Sequence, residues 1–234
     1  MLTIVIPTKN EEDYLPILLS SIRQQSYQPQ EIIVADAHST DRTPEIAAQF
    51  GARVVEGGMP GPGRNRGAEI AKTEYILFLD ADVELQDPEM LEQMMGEMLE
   101  RNLDLATCDV LPLSTKRIDH VIHGLYNRYS RFLAETRPHA PGFCLLVRRA
   151  IHQKIGGFDE SVVFCEDHDY AQRIARIGSF GVLNAAVPVS VRRLDRDGRM
   201  NIAVKYVLAE AHLVTFGPIK SNLFNYSFGH SKKR

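Results

Sequence analysis

The chain contains no tryptophan, and its three cysteines, Cys108, Cys144 and Cys165, form an odd set with no CxxC spacing. That excludes a paired disulfide framework and a thiolate zinc site, and it suits a reducing cytoplasm. Charge of one sign is also lacking: 27 Lys and Arg face 30 Asp and Glu, for a formal net charge of −3. Nothing therefore draws the whole molecule to nucleic acid or to an anionic membrane, and any polyanion must meet a local site. Long hydrophobic runs are missing too. The opening MLTIVI has no basic region before it and is interrupted by Pro7 and Lys9, so it reads as a buried first strand rather than a leader. Residues 202–217 are broken by Lys205, Glu210 and His212, short of the roughly 18 to 20 apolar residues that span a bilayer. The expectation is a cytoplasmic chain, not an integral membrane protein.

What is present is a core. With 44% apolar and 24% charged residues over 234 positions, the chain fits one α/β domain without internal repeat or linker. Strand-length apolar runs at Leu2–Ile6, Glu31–Asp36, Ala52–Glu56 and Tyr75–Asp80 alternate with helical patterns, the βαβ rhythm of a parallel sheet. Asn10 and then Ser39 or Thr40 precede acidic first turns and predict helix starts, and Gly51 predicts the end of the second helix. Helices are expected at 88–101, 116–135, 166–177 and 201–215, and strands at 104–110, 144–148 and 186–192. In the 116–135 segment Ile118, Val121, Ile122, Leu125, Tyr129, Phe132 and Leu133 follow helical spacing, the pattern of an amphipathic helix on a core. Arginines beside that stripe and the Lys232, Lys233, Arg234 tail also fit a helix resting on a membrane surface.

Four polar segments follow or end predicted strands, where open parallel sheets gather ligand-binding loops. Pro7, Thr8, Lys9, Asn10 and Glu11 follow the first, and Asp36 to Asp41 the second. Alone, Asn10 and Ser39 could merely cap helices and Asp41 favour a helix dipole. The third segment, Gly61 to Gly67 with Arg64 and Asn65, comes before Asp80, Ala81 and Asp82. There the apolar run Leu77, Phe78, Leu79 delivers two carboxylates, two residues apart, to the sheet's edge. Mg²⁺ or Mn²⁺ takes one or two protein carboxylates and fills its shell with water and phosphate oxygens, so this DxD motif suits a nucleoside diphosphate; Glu84 is an additional candidate ligand. The fourth runs from Gly156, Gly157, Phe158, Asp159 and Glu160 to Glu166, Asp167, His168, Asp169, Tyr170 and Arg173. Its acids either complement a helix dipole or face a substrate hydroxyl, and the spacing does not choose among Glu166, Asp167 and Asp169.

Together PTKNEE, DAHSTD, GPGRNRG, DAD and GGFDE…EDHDYAQR, in that order, make residues 1–180 resemble family two inverting glycosyltransferases of the GT-A fold. The resemblance implies a Rossmann-like mixed, mostly parallel sheet flanked by helices in a single domain. It divides the chain into a nucleotide-sugar half (1–110), an acceptor half (111–200) and a C-terminal helix with basic tail (201–234). It implies that Pro7, Thr8, Asn10, Glu11, Asp36, Ser39, Arg64, Asn65 and Ala81 line the donor pocket, that Asp80 and Asp82 hold metal and diphosphate, and that Asp167 is the base, with Glu166 and Asp169 as candidate supports. Arg192 and Arg193 are candidates for the diphosphate, with a solvated basic strand end as the competing reading. With no tryptophan the QxxRW signature of processive synthases is absent, and Gln172 with Arg173 does not replace it, which favours single addition.

The expected partners are a UDP- or GDP-sugar and a hydroxyl acceptor such as a glycan or a lipid-linked saccharide, with a divalent cation, no nucleic acid, and contact with the inner face of the membrane through the surface helices. Three rival readings fit the sequence less well. A dinucleotide oxidoreductase fails because its glycine fingerprint joins the first strand to its helix, whereas Gly61, Gly63 and Gly67 follow the third strand beside Pro60 and Pro62. A sugar nucleotidyltransferase would open with a glycine-rich loop where PTKNEE stands. A catalytically inactive nucleotide-sugar binder is disfavoured by the intact acids.

Overall fold

The first strand, β1 (Leu2–Thr8), is buried on both faces: Leu2, Ile4 and Ile6 enter one hydrophobic cluster and Val5 the other. Burial on both sides explains why it reads as a continuous apolar run rather than an alternating one. A computed structural model describes residues 1–221 and Leu223. Among these, β2 (Glu31–Asp36), β3 (Arg53–Glu56), β4 (Tyr75–Leu79), β5 (Leu105–Leu113), β6 (Cys144–Arg148) and β7 (Phe180–Ser190) join β1 in one sheet of order β3-β2-β1-β4-β6-β5-β7. All pairings are parallel except the two made by β6. Because β6 runs the other way, its first residue, Cys144, pairs with Leu79 at the exit of β4. The segment entering β6 therefore sits at the same rim as the loops leaving the parallel strands. The chain winds outward from β1 through β2 to β3 and then returns to β4 on the other side, so a crevice opens beyond the carboxyl ends of β1 and β4.

On one face lie α1 (Leu15–Arg23), α2 (Thr43–Gln49) and, later in the chain, a helix over Met90–Glu100; on the other lies α3 (Pro60–Ile70). The nine residues of α1 are too few to hold a helix in water. Fully buried Leu15, Leu18, Leu19 and Ile22, at about 1.5–3 kcal/mol each, fix it to the sheet. The later helices are α4 (Met90–Glu100), α5 (Arg117–Leu133), α6 (Arg149–Lys154), α7 (Glu166–Ala175), α8 (Arg192–Asp197) and α9 (Arg199–Thr215). Tyr170 and Ile174 of α7 pack with Phe78 and Ala68 in the second cluster.

Several expectations need correcting. The first two helices start at Leu15 and Thr43, not after Asn10 and Ser39, since Pro16 and Pro44 occupy their first turns and the residues before them bind each other across the loops. Gly51 does end α2, with φ +76°. The last strand begins at Phe180 instead of Ala186, because Gly181 and Asn184 interrupt its apolar pattern, and Arg192 opens α8 rather than closing that strand. Three helices, α3, α6 and α8, lie where the sequence pattern predicts none. The apolar residues Ile118, Val121, Leu125, Tyr129 and Phe132 of α5 face outward, so this helix does not rest its stripe on the core; its buried positions are Asp119 and Ser130. The tail Lys232 to Arg234 lies outside the described residues.

The GPGRNRG run is a helix because glycine lets it lie close on β1. A Cβ at Gly67 would stand 2.3 Å from Val5 Cγ1. Gly67→Ala should therefore overpack the α3–β1 contact and lower stability by about 1–3 kcal/mol, read as a lower urea midpoint at unchanged slope. An unshifted midpoint would contradict that close seating.

Candidate active site

Two loops form one wall of the crevice. Asn10 and His38 adopt left-handed backbone, φ 57° and 54°, a conformation that Asn and His tolerate better than most residues. The Asn10 N–H donates to Ser39 Oγ (2.8 Å), the Thr40 N–H to Asn10 Oδ1 (2.8 Å) and the Glu11 N–H to Thr43 Oγ1 (2.8 Å). Buried Asp36, at the end of β2, accepts from Thr8 Oγ1 (3.0 Å) and from the Ser39 N–H (2.9 Å). Pro7, Thr8, Asn10, Glu11, Asp36 and Ser39 are thus brought together, and the two loops are stitched into a single surface.

Arg64 is the hub of the opposite wall. Only 2% of its side chain is exposed. Its Nη1 donates to Glu166 Oε1 at 2.9 Å; Nη2 donates to Asp80 Oδ1 at 2.8 Å and to the Gly142 carbonyl at 2.9 Å. One planar fork therefore ties α3 to the exit of β4, the entry of β6 and the head of α7. Burial opposes its charge, but Asp80, Glu166 and Asp167 hold the guanidinium protonated.

A second arginine closes the front. Arg192 donates to both carboxylate oxygens of Glu11 (2.7 Å each) and through Nε to Asp82 Oδ2 (2.9 Å), with its guanidinium 4.1 Å from the centre of the Tyr14 ring. Burial pushes Glu11 up to about 7, with Asp82 and Asp80 adding to the rise and Arg192 resisting it. Arg193 stands near enough to act on the Asp80 carboxyl.

At the head of α7 the acids separate. Cys165 enters the helix in left-handed backbone, φ 58°, which turns the next residues into the crevice. Asp167 Oδ2 accepts the Gly142 N–H at 2.6 Å, and Oδ1 accepts the His168 N–H at 2.8 Å and meets His168 Nδ1 at 2.9 Å. Burial alone would raise the Asp167 carboxyl, but the His168 charge and hydrogen bonds, with Arg64, outweigh it and hold it below the ordinary range. Glu166 moves up, through burial and the Asp167 charge, against the pull of Arg64. Asp169 turns to Arg173 at 2.7 Å, a partner on its own helix.

The structure brings Asp80, Asp82, Arg64, Glu166, Asp167, Glu11 and Arg192 around one crevice, with Ala81 buried between the two aspartates. It spends Asn65 on the Phe158 backbone, donating at 2.9 Å and accepting at 2.8 Å, so that residue holds the GGFDE turn against α3. Glu84 shares with Asp82 a groove of 180 Å³ lined also by Tyr14, Leu113 and Ser190. Among the described residues no three His, Cys, Asp or Glu side chains are placed to cage a metal. Sequence reasoning missed Tyr14 and Gly142, and named His168 without giving it a role. Gly142 acts through its main chain, and the only sign of it was a Pro-Gly pair before an apolar strand.

Residues 3–156 match the family model described as "Glycosyl transferase family 2". The chain belongs to glycosyl transferase family 2. The family match ends before the acids at the head of α7. Within family-related sequences, 103 residues are 38% identical to the 4,4'-diaponeurosporenoate glycosyltransferase of Staphylococcus haemolyticus, covering 40% of this chain and 27% of that protein. The chain thus spans less than two thirds of that relative's length. Two solved structures share its GT-A fold: S. aureus TarS 1-349 in complex with UDP-GlcNAc (TM-score 0.64, 20% identity, 81% of this chain and 58% of that one) and a Pyrobaculum calidifontis mannosyltransferase in complex with GDP-Man and Mn²⁺ (TM-score 0.64, 19% identity, 92% and 70%).

Proposed function

We propose that the chain is a metal-dependent, inverting glycosyltransferase that moves one sugar from a UDP- or GDP-sugar to a hydroxyl acceptor. The observation that carries this reading is the Arg64 fork, which joins Asp80 to Glu166 and, through Gly142, to Asp167. An aspartate pair suited to a donor's diphosphate and a carboxylate suited to an acceptor's proton thereby share one crevice. The donors in the two related structures support a nucleoside diphosphate sugar.

Asp80 and Asp82 offer hard oxygen donors at the rim, fitting an ion that completes its shell with phosphate oxygens and water, as Mg²⁺ or Mn²⁺ does. When bound, the ion supplies charge neutralisation for the departing diphosphate. The stitched wall of Thr8, Asn10, Asp36 and Ser39 receives the nucleoside, and Arg192 and Arg193 answer the phosphate charge. Asp167, ionised at neutral pH, takes the proton of the acceptor hydroxyl as its oxygen attacks the anomeric carbon from the face opposite the leaving group. One displacement inverts that centre and needs no covalent intermediate.

The test is a panel of nucleotide sugars, scored for release of nucleoside diphosphate, with the anomeric configuration of any product read by NMR. One donor should be turned over with inversion, and EDTA should lower release by more than about tenfold, with recovery on adding Mn²⁺ or Mg²⁺. Retained configuration, or indifference to EDTA, would sink the corresponding part of the reading.

A further inference from the structure

The two seventeen-residue helices α5 and α9 carry apolar side chains that the fold leaves outside. On α5, Ile118, Val121, Leu125 and Phe132 make an exposed stripe, with Phe132 82% and Leu125 62% accessible. On α9, Ile202 and Ala209 point into the molecule, while Met200, Val204, Val207, Leu208 and Val214 lie on the opposite side of the helix, with Val207 69% accessible. Side chains bridge the helices at both ends. Arg199 holds Asp119 (2.6 and 2.7 Å) near their starts, and Glu210 accepts from Tyr129 (3.2 Å) near their ends. Successive bridges ascend both helices together, so they run in the same sense as one plate.

The charges sort as clearly as the apolar residues. The one acid of each helix is engaged by a neighbour: Asp119 by Arg199, and Glu210 by His139 (2.8 Å) and Arg137 (3.1 Å). The outward face of α5 bears exposed Arg117 and Arg128 and no carboxylate. Apolar side chains flanked by arginines match an anionic lipid surface, where the first enter the acyl boundary and the second meet phosphates. A second copy of this chain would instead set arginines against arginines. Among the described residues no helix is long and apolar enough to cross a membrane, so the fit is to a surface and not to a span.

We propose that α5 and α9 dock this chain on an anionic bilayer. The plate lies one layer from the acids of α7, since the His168 ring packs 4.8 Å from His139, which is bonded to Glu210 of α9. Docking would hold the crevice at the lipid surface. This inference does not rest on the glycosyl-transfer reading, and its test needs no turnover. The full chain is sedimented with vesicles of phosphatidylcholine alone and of phosphatidylcholine with an equal share of phosphatidylglycerol. It should partition onto the anionic vesicles, less so as salt rises. Arg117→Gln and Arg128→Gln should each weaken binding about fivefold, and Leu125→Glu with Val207→Glu by more than about tenfold, with melting temperature unchanged because these positions are exposed. The proposal is overturned if neither vesicle sediments the chain, if the glutamate pair leaves binding intact, or if that pair instead dissolves a dimer formed without lipid.

Discussion

Asp167→Asn is expected to lower kcat by about 10² to 10⁴, the usual worth of a positioned general base, while nucleotide affinity measured by calorimetry stays near the parent value. The substitution is nearly isosteric, so an oxygen at the same place can still accept the Gly142 N–H, although the amide nitrogen no longer accepts from His168. What is lost is the negative charge that receives the proton. Glu166 cannot take over, because its carboxyl is buried and bonded to Arg64. Asp169 is committed to Arg173. A variant that turns over within about tenfold of the parent would show that another group accepts the proton.

That assignment illustrates where the sequence was legible. The strands buried on both faces announced themselves as apolar runs, and the polar loops after them followed from the rule that parallel sheets bind at their carboxyl ends. The helix over Pro60–Ile70 did not, because its glycines are poor helix formers and its stability comes from lying flat on Val5, a tertiary contact. The spacing in α5 was read correctly as helical, yet periodicity defines a stripe without saying which way it faces. Arg192 and Glu11 are 181 residues apart, and only the sheet order brings them together. Among the three acids of α7, the resemblance names Asp167; spacing alone offers Asp169 its partner Arg173 four residues on, but not the long-range contacts of Glu166 with Arg64 and of Asp167 with Gly142.

Arg64→Met should cost about 3–5 kcal/mol of folding stability and most of the activity. A hydrophobic residue of similar length can fill the volume, but it leaves Glu166, only 9% exposed, and Asp80 facing each other without their shared counter-charge. The deficit should depend on pH, with a sign that follows from linkage. Glu166 binds its proton more tightly folded than unfolded, and loss of Arg64, which lowers that affinity, strengthens the bias. The folded variant therefore takes up a proton on acidification before the unfolded chain does, so its stability deficit is greatest above the raised folded pKa and shrinks as pH falls toward the ordinary glutamate range. Urea midpoints at pH 8 and pH 5 measure this directly. Arg64→Lys separates charge from geometry: an ammonium can satisfy one carboxylate but cannot also hold the Gly142 carbonyl and the second acid in a planar fork. It should recover much of the stability and little of the turnover. Equal recovery of both would mean that Arg64 supplies only charge, and that the entry of β6 is set by other contacts.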